Sequence, residues 1–192
     1  MCLVAGMWAS LAWSARPTAL RALVLIAVVV VATLNRERAL VIVSFVAALA
    51  WLTRGVRWSA VAVVAPAALA FAATYVGLRV VLGWTDGVAE QAVWRQNLTT
   101  RNGWVGLAFW VTSSAIVLGA ARTGCNRRAV ATFAACSLPY ILMSFYAGVA
   151  WELRLWVPVL LGGLCLAGLD PQAIRPRTVL DDTSLASAVD RP

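Results

Sequence analysis

The sequence contains neither histidine nor lysine, and all sixteen of its basic residues are arginine. Without histidine the chain lacks the usual general base at neutral pH and the commonest nitrogen ligand of metal ions. Without lysine it can form no Schiff base and has no Walker-type phosphate-binding lysine. Acid–base chemistry would therefore have to use its eight carboxylates, four thiols or three tyrosines.

Charged residues are scarce and hydrophobic residues are abundant. Charged residues make up 12% of the 192 residues, whereas soluble domains average about 25%. Hydrophobic residues make up 62%, against about 45 to 50% in soluble domains. This balance favours the bilayer as the solvent, and we predict an all-α, polytopic transmembrane helical bundle. The formal net charge is +8, but the arginines stand singly or in pairs between apolar runs. That spacing is typical of topology signals at membrane edges and argues against a nucleic-acid-binding face.

The four cysteines form no C-x-x-C motif and show no metal-ligand spacing. Cys136 and Cys165 lie inside apolar runs, where a free cysteine behaves as a small hydrophobic residue. We therefore expect inert thiols, no metal site and no cofactor.

The apolar runs set the predicted number of membrane crossings. A hydrocarbon core about 30 Å thick needs about 20 helical residues per crossing, so the chain divides into about six to seven spans, some of them short or re-entrant. The spans are predicted at Met1 to Ala15, Thr18 to Leu34, Ala39 to Thr53, Trp58 to Leu82, Trp104 to Ala121, Ala129 to Trp151 and Leu155 to Leu169. Tryptophan prefers the headgroup zone, and the tryptophans near these ends are Trp13, Trp51, Trp58, Trp84, Trp104, Trp151 and Trp156.

Two segments do not fit a span. Residues 85–103 have acids at the start and a loose apolar face, and we predict a surface helix there. Residues 170–192 are too polar to build a core and are predicted to form a flexible tail.

The arginines predict the orientation of the chain. With seven spans, and with Arg191 in the distal tail left out of the count, nine arginines fall on the side of the C-terminal tail and six on the other side. The positive-inside rule then predicts a cytoplasmic C-terminus. The alanine- and arginine-rich composition is typical of GC-rich bacterial coding, so we expect a multi-pass protein of the bacterial inner (plasma) membrane.

The same topology gathers all membrane-proximal acids on the external face. Glu152 is expected to pair with an arginine of another element, which leaves Arg154 to bind a phosphate or a lipid headgroup. The ligand or lipid-phosphate candidates are Glu37, Arg79, Glu152 and Arg154, and the secondary candidates are Arg36, Asp86, Glu90 and Arg95. In the alternative interpretation these charges are only topology markers, solvated turns and ion pairs between helices.

Prolines and small residues within the spans are predicted to serve packing. Pro66, Pro139 and Pro158 interrupt spans, where proline usually kinks a helix. Gly162, Gly163, Gly168 and the pairs Ala68 with Ala72 and Ala115 with Gly119 offer small-residue faces for helix contact.

Four short features together resemble a known type of protein. They are an acid in a short basic junction at Glu37, a span ending in Leu78-Arg79, the loop Trp94-Arg95-Gln96-Asn97-Leu98, and Glu152-x-Arg154 followed by Pro158. This pattern resembles the C-terminal half of bacterial polytopic membrane proteins similar to the C-type integral-membrane glycosyltransferases. Those enzymes take sugars from polyprenyl-phosphate donors. The resemblance covers residues 34–169.

The resemblance implies a helical bundle whose site faces outward, with Glu37, Arg79 and Arg154 lining a cleft for a lipid phosphate or a sugar. Such enzymes place their catalytic acid in the first external loop, whereas no acid precedes Glu37 in this sequence. We therefore expect a fragment or short relative of such a glycosyltransferase, and whether it is an enzyme stays open. The alternatives are a small transporter or channel subunit and a non-catalytic membrane assembly partner.

Overall fold

A computed structural model describes residues 2–16, 18–35, 39–55, 58–83, 93–147 and 152–170. Within these ranges the secondary structure is entirely helical, so the predicted all-α class is confirmed for them. The helices are α1 (Cys2–Ala15), α2 (Ala19–Asn35), α3 (Leu40–Arg54), α4 (Trp58–Leu82), α5 (Val93–Thr99), α6 (Arg101–Ala120), α7 (Gly124–Cys136), α8 (Leu138–Ala147) and α9 (Leu153–Gly168).

Helix α3 lies at the centre of the bundle. It packs against α1, α4, α7 and α9, and it carries no charged residue before Arg54. Because it is apolar all round, it can be buried on every side. Its buried residues are Val41, Ile42, Val43, Ser44, Phe45, Val46, Ala48, Leu49 and Ala50. Two apolar clusters meet at this helix, one shared with α1, α2 and α4 and the other with α1, α6, α7, α8 and α9.

Close approach of helices depends on small residues, as predicted for Gly162 and Gly163. A side chain at Gly162 would collide with the ring of Phe133, and one at Gly163 would come within 2.9 Å of Val117. Gly119 and Gly168, in contrast, have open space around them. The predicted packing role is therefore confirmed for Gly162 and Gly163, whereas no described residue packs closely against Gly119 or Gly168.

The predicted continuous segment from Ala129 to Trp151 begins earlier and is broken. Helix α7 starts at Gly124, and it meets α8 at Ser137 with a bend of 48°. Pro139 has no N–H group and its ring crowds the preceding turn, which explains a break at this point. The other two prolines lie inside α4 and α9 and end neither helix.

Helix α9 runs antiparallel to α7, and its start lies beside the break between α7 and α8. Asn126, near the start of α7, donates a hydrogen bond to the carbonyl of Ala167, near the end of α9. Tyr140, in α8, donates to the carbonyl of Leu155, near the start of α9.

Helix α6 runs parallel to α9. The rings of Trp110 and Trp156 lie 5.5 Å apart near the first half of each helix, and Val117 faces Gly163 further along both. One end of the bundle therefore holds α5 and the starts of α6 and α9, and we call it the α5 end. The opposite end holds the α6–α7 junction and the end of α9, and we call it the α7 end.

The direction of α3 follows from its contact with α7. The rings of Phe45 and Phe133 meet edge to face with centroids 5.6 Å apart. Phe45 lies near the start of α3 and Phe133 near the end of α7, so the two helices overlap along most of their length only if they are antiparallel. Helix α3 then starts at the α5 end. Helix α4, which follows α3 after a three-residue link, returns to that end.

Only some helices match the thickness of a bilayer. Ala60–Leu82 and Arg101–Ala120 are long and apolar enough to cross, and the bent pair α7 and α8 makes a third if it is one span. Four shorter apolar helices have 10 to 17 residues, which at about 1.5 Å per residue fall short of a core about 30 Å thick.

The tryptophans near helix ends fall into an exposed group and a buried group. Trp51, Trp58 and Trp104 are exposed at helix ends, as expected for the headgroup zone. Trp13 and Trp156 also lie in the terminal turns of α1 and α9, as the sequence predicts, but both are buried among other helices.

Candidate functional site

The structure describes only part of the predicted site. Glu37, Arg36, Asp86 and Glu90 lie outside the described residues, and for Arg154 only the backbone, in the first turn of α9, is described. The described candidates are Arg79, Glu152 and Arg95. All three belong to elements that reach the α5 end.

Arg79 lies in the last turn of α4 and is half-buried. Its guanidinium carbon is 5.3 Å from the centre of the Tyr75 ring, one turn earlier. The Tyr75 ring in turn stacks on Phe71, with centroids 5.8 Å apart and planes 17° apart. Spacings of four residues put all three side chains on one face of the helix. The aromatic faces orient the cation at the end of the apolar helix, an interaction of roughly 0.5 to 2 kcal/mol.

Glu152 occupies the N-cap position of α9. Its backbone is extended, and its carbonyl oxygen accepts a hydrogen bond from the N–H of Leu155 at 2.9 Å. A carboxylate at this position is favoured by the positive end of the helix dipole. The start of α9 is held in place because Tyr140 donates its hydroxyl to the carbonyl of Leu155 at 2.9 Å.

Arg95 is exposed on α5, with its guanidinium carbon 5.4 Å from the ring of Trp94. Two residues later, Asn97 is fully buried and its amide donates to the carbonyl of Phe145 in α8 at 2.8 Å. Gly103 of α6 lies against the backbone of Asn97, where any side chain would collide. These contacts hold α5 against α6 and α8, so Arg95 is presented from a fixed element.

A second polar feature, at the α7 end, was missed by the sequence analysis. The amide nitrogen of Asn126 lies 2.7 Å from the carbonyl oxygen of Ala167 and 2.9 Å from that of Leu169. Thr123 caps α7, because its hydroxyl oxygen accepts from the N–H of Asn126 at 3.2 Å. A threonine three residues before a polar amide at the start of an apolar helix is a signal that could have located this site.

A cavity of about 460 Å³ opens beside these residues. Its walls are Ala120, Arg122, Thr123, Asn126, Leu164, Ala167, Gly168 and Leu169. Most of this lining is apolar, and among the described residues that form it Arg122 is the one that carries a charge.

Within the part of the chain that the structure describes, two buried side-chain atoms have no hydrogen-bond partner, the indole nitrogen of Trp110 and the hydroxyl of Ser137. Among the described residues, no group of three or more cysteine, aspartate or glutamate side chains could hold a metal ion.

No protein-family model matches the chain, and neither a curated protein nor a solved structure shows significant similarity to it.

Proposed function

We propose that this chain is a multi-pass integral membrane protein that binds a phosphate-bearing lipid, such as a polyprenyl-phosphate sugar, at its α5 end. In this proposal the helices form six to seven crossings, as the sequence predicts. The C-terminus faces the cytoplasm of a bacterium and the α5 end faces outward. The lipid bilayer is the principal partner.

The apolar surface of α4 is the observation that supports membrane insertion most strongly. Its apolar stretch Ala60–Leu82 has 23 residues, and only 11% of the 18-residue apolar segment within it is buried against the rest of the protein. Large side chains such as Leu69 and Val80 are about 70% exposed. Soluble monomers rarely expose continuous apolar patches of more than a few hundred Å². Further large apolar side chains are exposed on α2, which packs against α4, and on α6.

Exposed tryptophans at both ends of the bundle support the same interpretation. Trp51 and Trp58 lie where α3 ends and α4 begins, and Trp104 lies near the start of α6. Indole rings at these positions would lie at the two membrane–water interfaces.

The arginines of the α5 end support phosphate binding. Arg79 ends the most exposed apolar helix, and an arginine there meets the headgroup level of a lipid beside it. Guanidinium groups bind phosphate oxygens with paired, charge-assisted hydrogen bonds. Arg95 on the surface of α5 and Arg154 in the first turn of α9 supply two more cations at the same end.

Transport is less well supported by the described residues. In them, every charged residue within a helix lies among the first or last five residues of its helix. Charges that line a pathway through a membrane are usually found deep within spans. The arrangement observed is better suited to headgroups at the surface.

Membrane insertion is tested by alkaline extraction and by cysteine labelling. In a background without native cysteines, Arg38→Cys, Glu90→Cys and Leu153→Cys should react with an impermeant maleimide from one side of intact cells. Arg54→Cys and Arg122→Cys should react only after permeabilisation. Release of the protein by alkaline carbonate, or labelling of the first group from opposite sides, would overturn this topology.

Lipid binding is tested by native mass spectrometry of the full chain with a polyprenyl phosphate and the corresponding polyprenol. The phosphate should be retained and the alcohol should not. Arg79→Gln should weaken retention roughly tenfold, the loss expected for one charged hydrogen-bonded contact, whereas Arg16→Gln at the α7 end should leave it unchanged. Equal retention of phosphate and alcohol would exclude a phosphate site.

A further inference from the structure

Three arginines surround the α6–α7 junction at the α7 end. Arg122 lies in the link, and Arg127 and Arg128 lie in the first turns of α7. All three are exposed, and Asp170 is the one acid that the described residues place at this end. The junction therefore carries a local excess of positive charge.

The start of α7 adds to this charge. The hydroxyl oxygen of Thr123 accepts a hydrogen bond from the backbone N–H of Asn126, and its carbonyl oxygen accepts one from the N–H of Arg127. The N–H groups of Gly124 and Cys125 come earlier in the same turn. As at the start of any helix, no carbonyl of the preceding turn accepts their hydrogen bonds. With the positive end of the helix dipole they favour an anion here.

The end of α9 would oppose an anion, but Asn126 cancels much of this effect. Its amide group donates to the carbonyls of both Ala167 and Leu169. Two of the oxygens that carry the negative end of the α9 dipole are thus already bonded. The positive start of α7 and the arginines are left to dominate the field at the junction.

The cavity next to Arg122 is shaped for an apolar group rather than for a free ion. It holds about 460 Å³, and apart from Arg122, Thr123 and Asn126 its walls are apolar. Leu164 on its wall and Leu161 one turn away are each more than 40% exposed. They extend an apolar surface from the cavity along α9 towards the middle of the bundle.

We propose that this junction binds an anionic glycerophospholipid of the surrounding bilayer, such as phosphatidylglycerol. Its phosphate contacts Arg122 and the N–H groups at the start of α7, Arg128 adds positive charge nearby, and one acyl chain enters the cavity and follows Leu164 and Leu161. Basic pockets between helices at the cytoplasmic surface bind anionic headgroups in this way. The inference rests on the proposed membrane insertion, and it concerns the end of the bundle opposite to the polyprenyl-phosphate site.

The experiment compares phosphatidylglycerol with phosphatidylethanolamine on the full chain in neutral detergent. Native mass spectrometry should show preferential retention of phosphatidylglycerol, and this lipid should raise the thermal midpoint more than phosphatidylethanolamine does. Arg122→Gln/Arg128→Gln should reduce the preference by roughly tenfold or more. The control Arg16→Gln/Arg101→Gln removes equal charge elsewhere and should retain the preference. Arg127 is left intact because its guanidinium donates to the carbonyl of Ala121 at 3.3 Å.

Each outcome discriminates. Equal retention of the two lipids by the unmodified protein, or an equal loss in both double variants, would overturn the inference even if the protein resists alkaline extraction. Stabilisation by inorganic phosphate to the same extent would show an ion site without a lipid. Extraction by alkali would instead overturn the proposed function. If the double variant does not fold, Arg122→Gln alone and the lipid comparison on the unmodified protein still decide the question.

Discussion

The amide nitrogen of Asn126 lies 2.9 Å from the carbonyl oxygen of Leu169, a residue 43 positions later in the chain. The same nitrogen lies 2.7 Å from the carbonyl of Ala167, so one side chain serves the exposed carbonyls at the end of another helix. Asn126 is almost completely buried. It therefore fixes the start of α7 to the end of α9, and it lines the cavity beside them.

Replacement of Asn126 should weaken the fold. Asn126→Ala removes two donated hydrogen bonds and leaves two carbonyls without them, which should lower the free energy of unfolding by about 2 kcal/mol. Asn102→Ala, an exposed position on α6, should change it by less than about 0.5 kcal/mol. Reversible unfolding in detergent measures both, and equal stabilities would show that the α7–α9 contact does not form.

Two glycines of α6 should respond in opposite ways to alanine. Gly103→Ala would push a methyl group into the backbone of Asn97 and should separate α5 from α6. Gly119→Ala meets open space and should stabilise the helix by about 0.5 to 1 kcal/mol, because alanine loses less backbone entropy than glycine. Thermal midpoints of the two variants test this. A Gly103→Ala protein as stable as the unmodified one would contradict the close contact of α5 with α6.

The two tryptophans of α1 provide a matched test of its packing. The indole nitrogen of Trp13, which is 9% exposed, donates to the carbonyl of Val63 in α4 at 3.1 Å. Trp13→Phe should therefore cost about 1 to 2 kcal/mol of unfolding free energy. Trp8 is 67% exposed, and Trp8→Phe should have little effect on the same measurement. A larger loss for Trp8→Phe would mean that α1 presents its other face to the bundle.

The serine hydroxyl at the helix break should cost stability. Ser137 is fully buried and its hydroxyl has no partner among the described residues. Ser137→Ala should raise the free energy of unfolding by about 1 kcal/mol, because it removes an unsatisfied polar group. Ser10 donates to the carbonyl of Gly6 at 2.6 Å, and Ser10→Ala should not stabilise. Destabilisation by Ser137→Ala would reveal a bound water or ligand at the break.

The helices could largely be predicted from the sequence. Apolar runs bounded by arginine, proline and glycine locate α1, α2, α3 and α4 to within a residue or two. The division of the predicted span Ala129 to Trp151 into α7 and α8 could not be predicted from the apolar runs, because hydropathy does not reveal a bend. Pro139 was recognised as an interruption, but only the tertiary structure shows where the chain turns and that the bend is 48°.

The candidate site was only partly predictable. Charge spacing selected Arg79, Glu152 and Arg95, and the helix directions place all three at the α5 end. The aromatic stack beneath Arg79 follows from four-residue spacing and could have been predicted. The role of Asn126 could not, since its partners lie 41 and 43 residues away in the chain.

The sequence alone determined the class of secondary structure, because it depends on local composition and on the periodicity of apolar residues. Only the tertiary structure decided that α3 is the buried centre, that Trp13 and Trp156 pack inside, and that Asn126 joins α7 to α9. Those outcomes depend on contacts between residues far apart in the chain. In a chain this apolar, many pairings of helix faces would bury similar area. The fit of small residues such as Gly162 against large ones such as Phe133 selects among them.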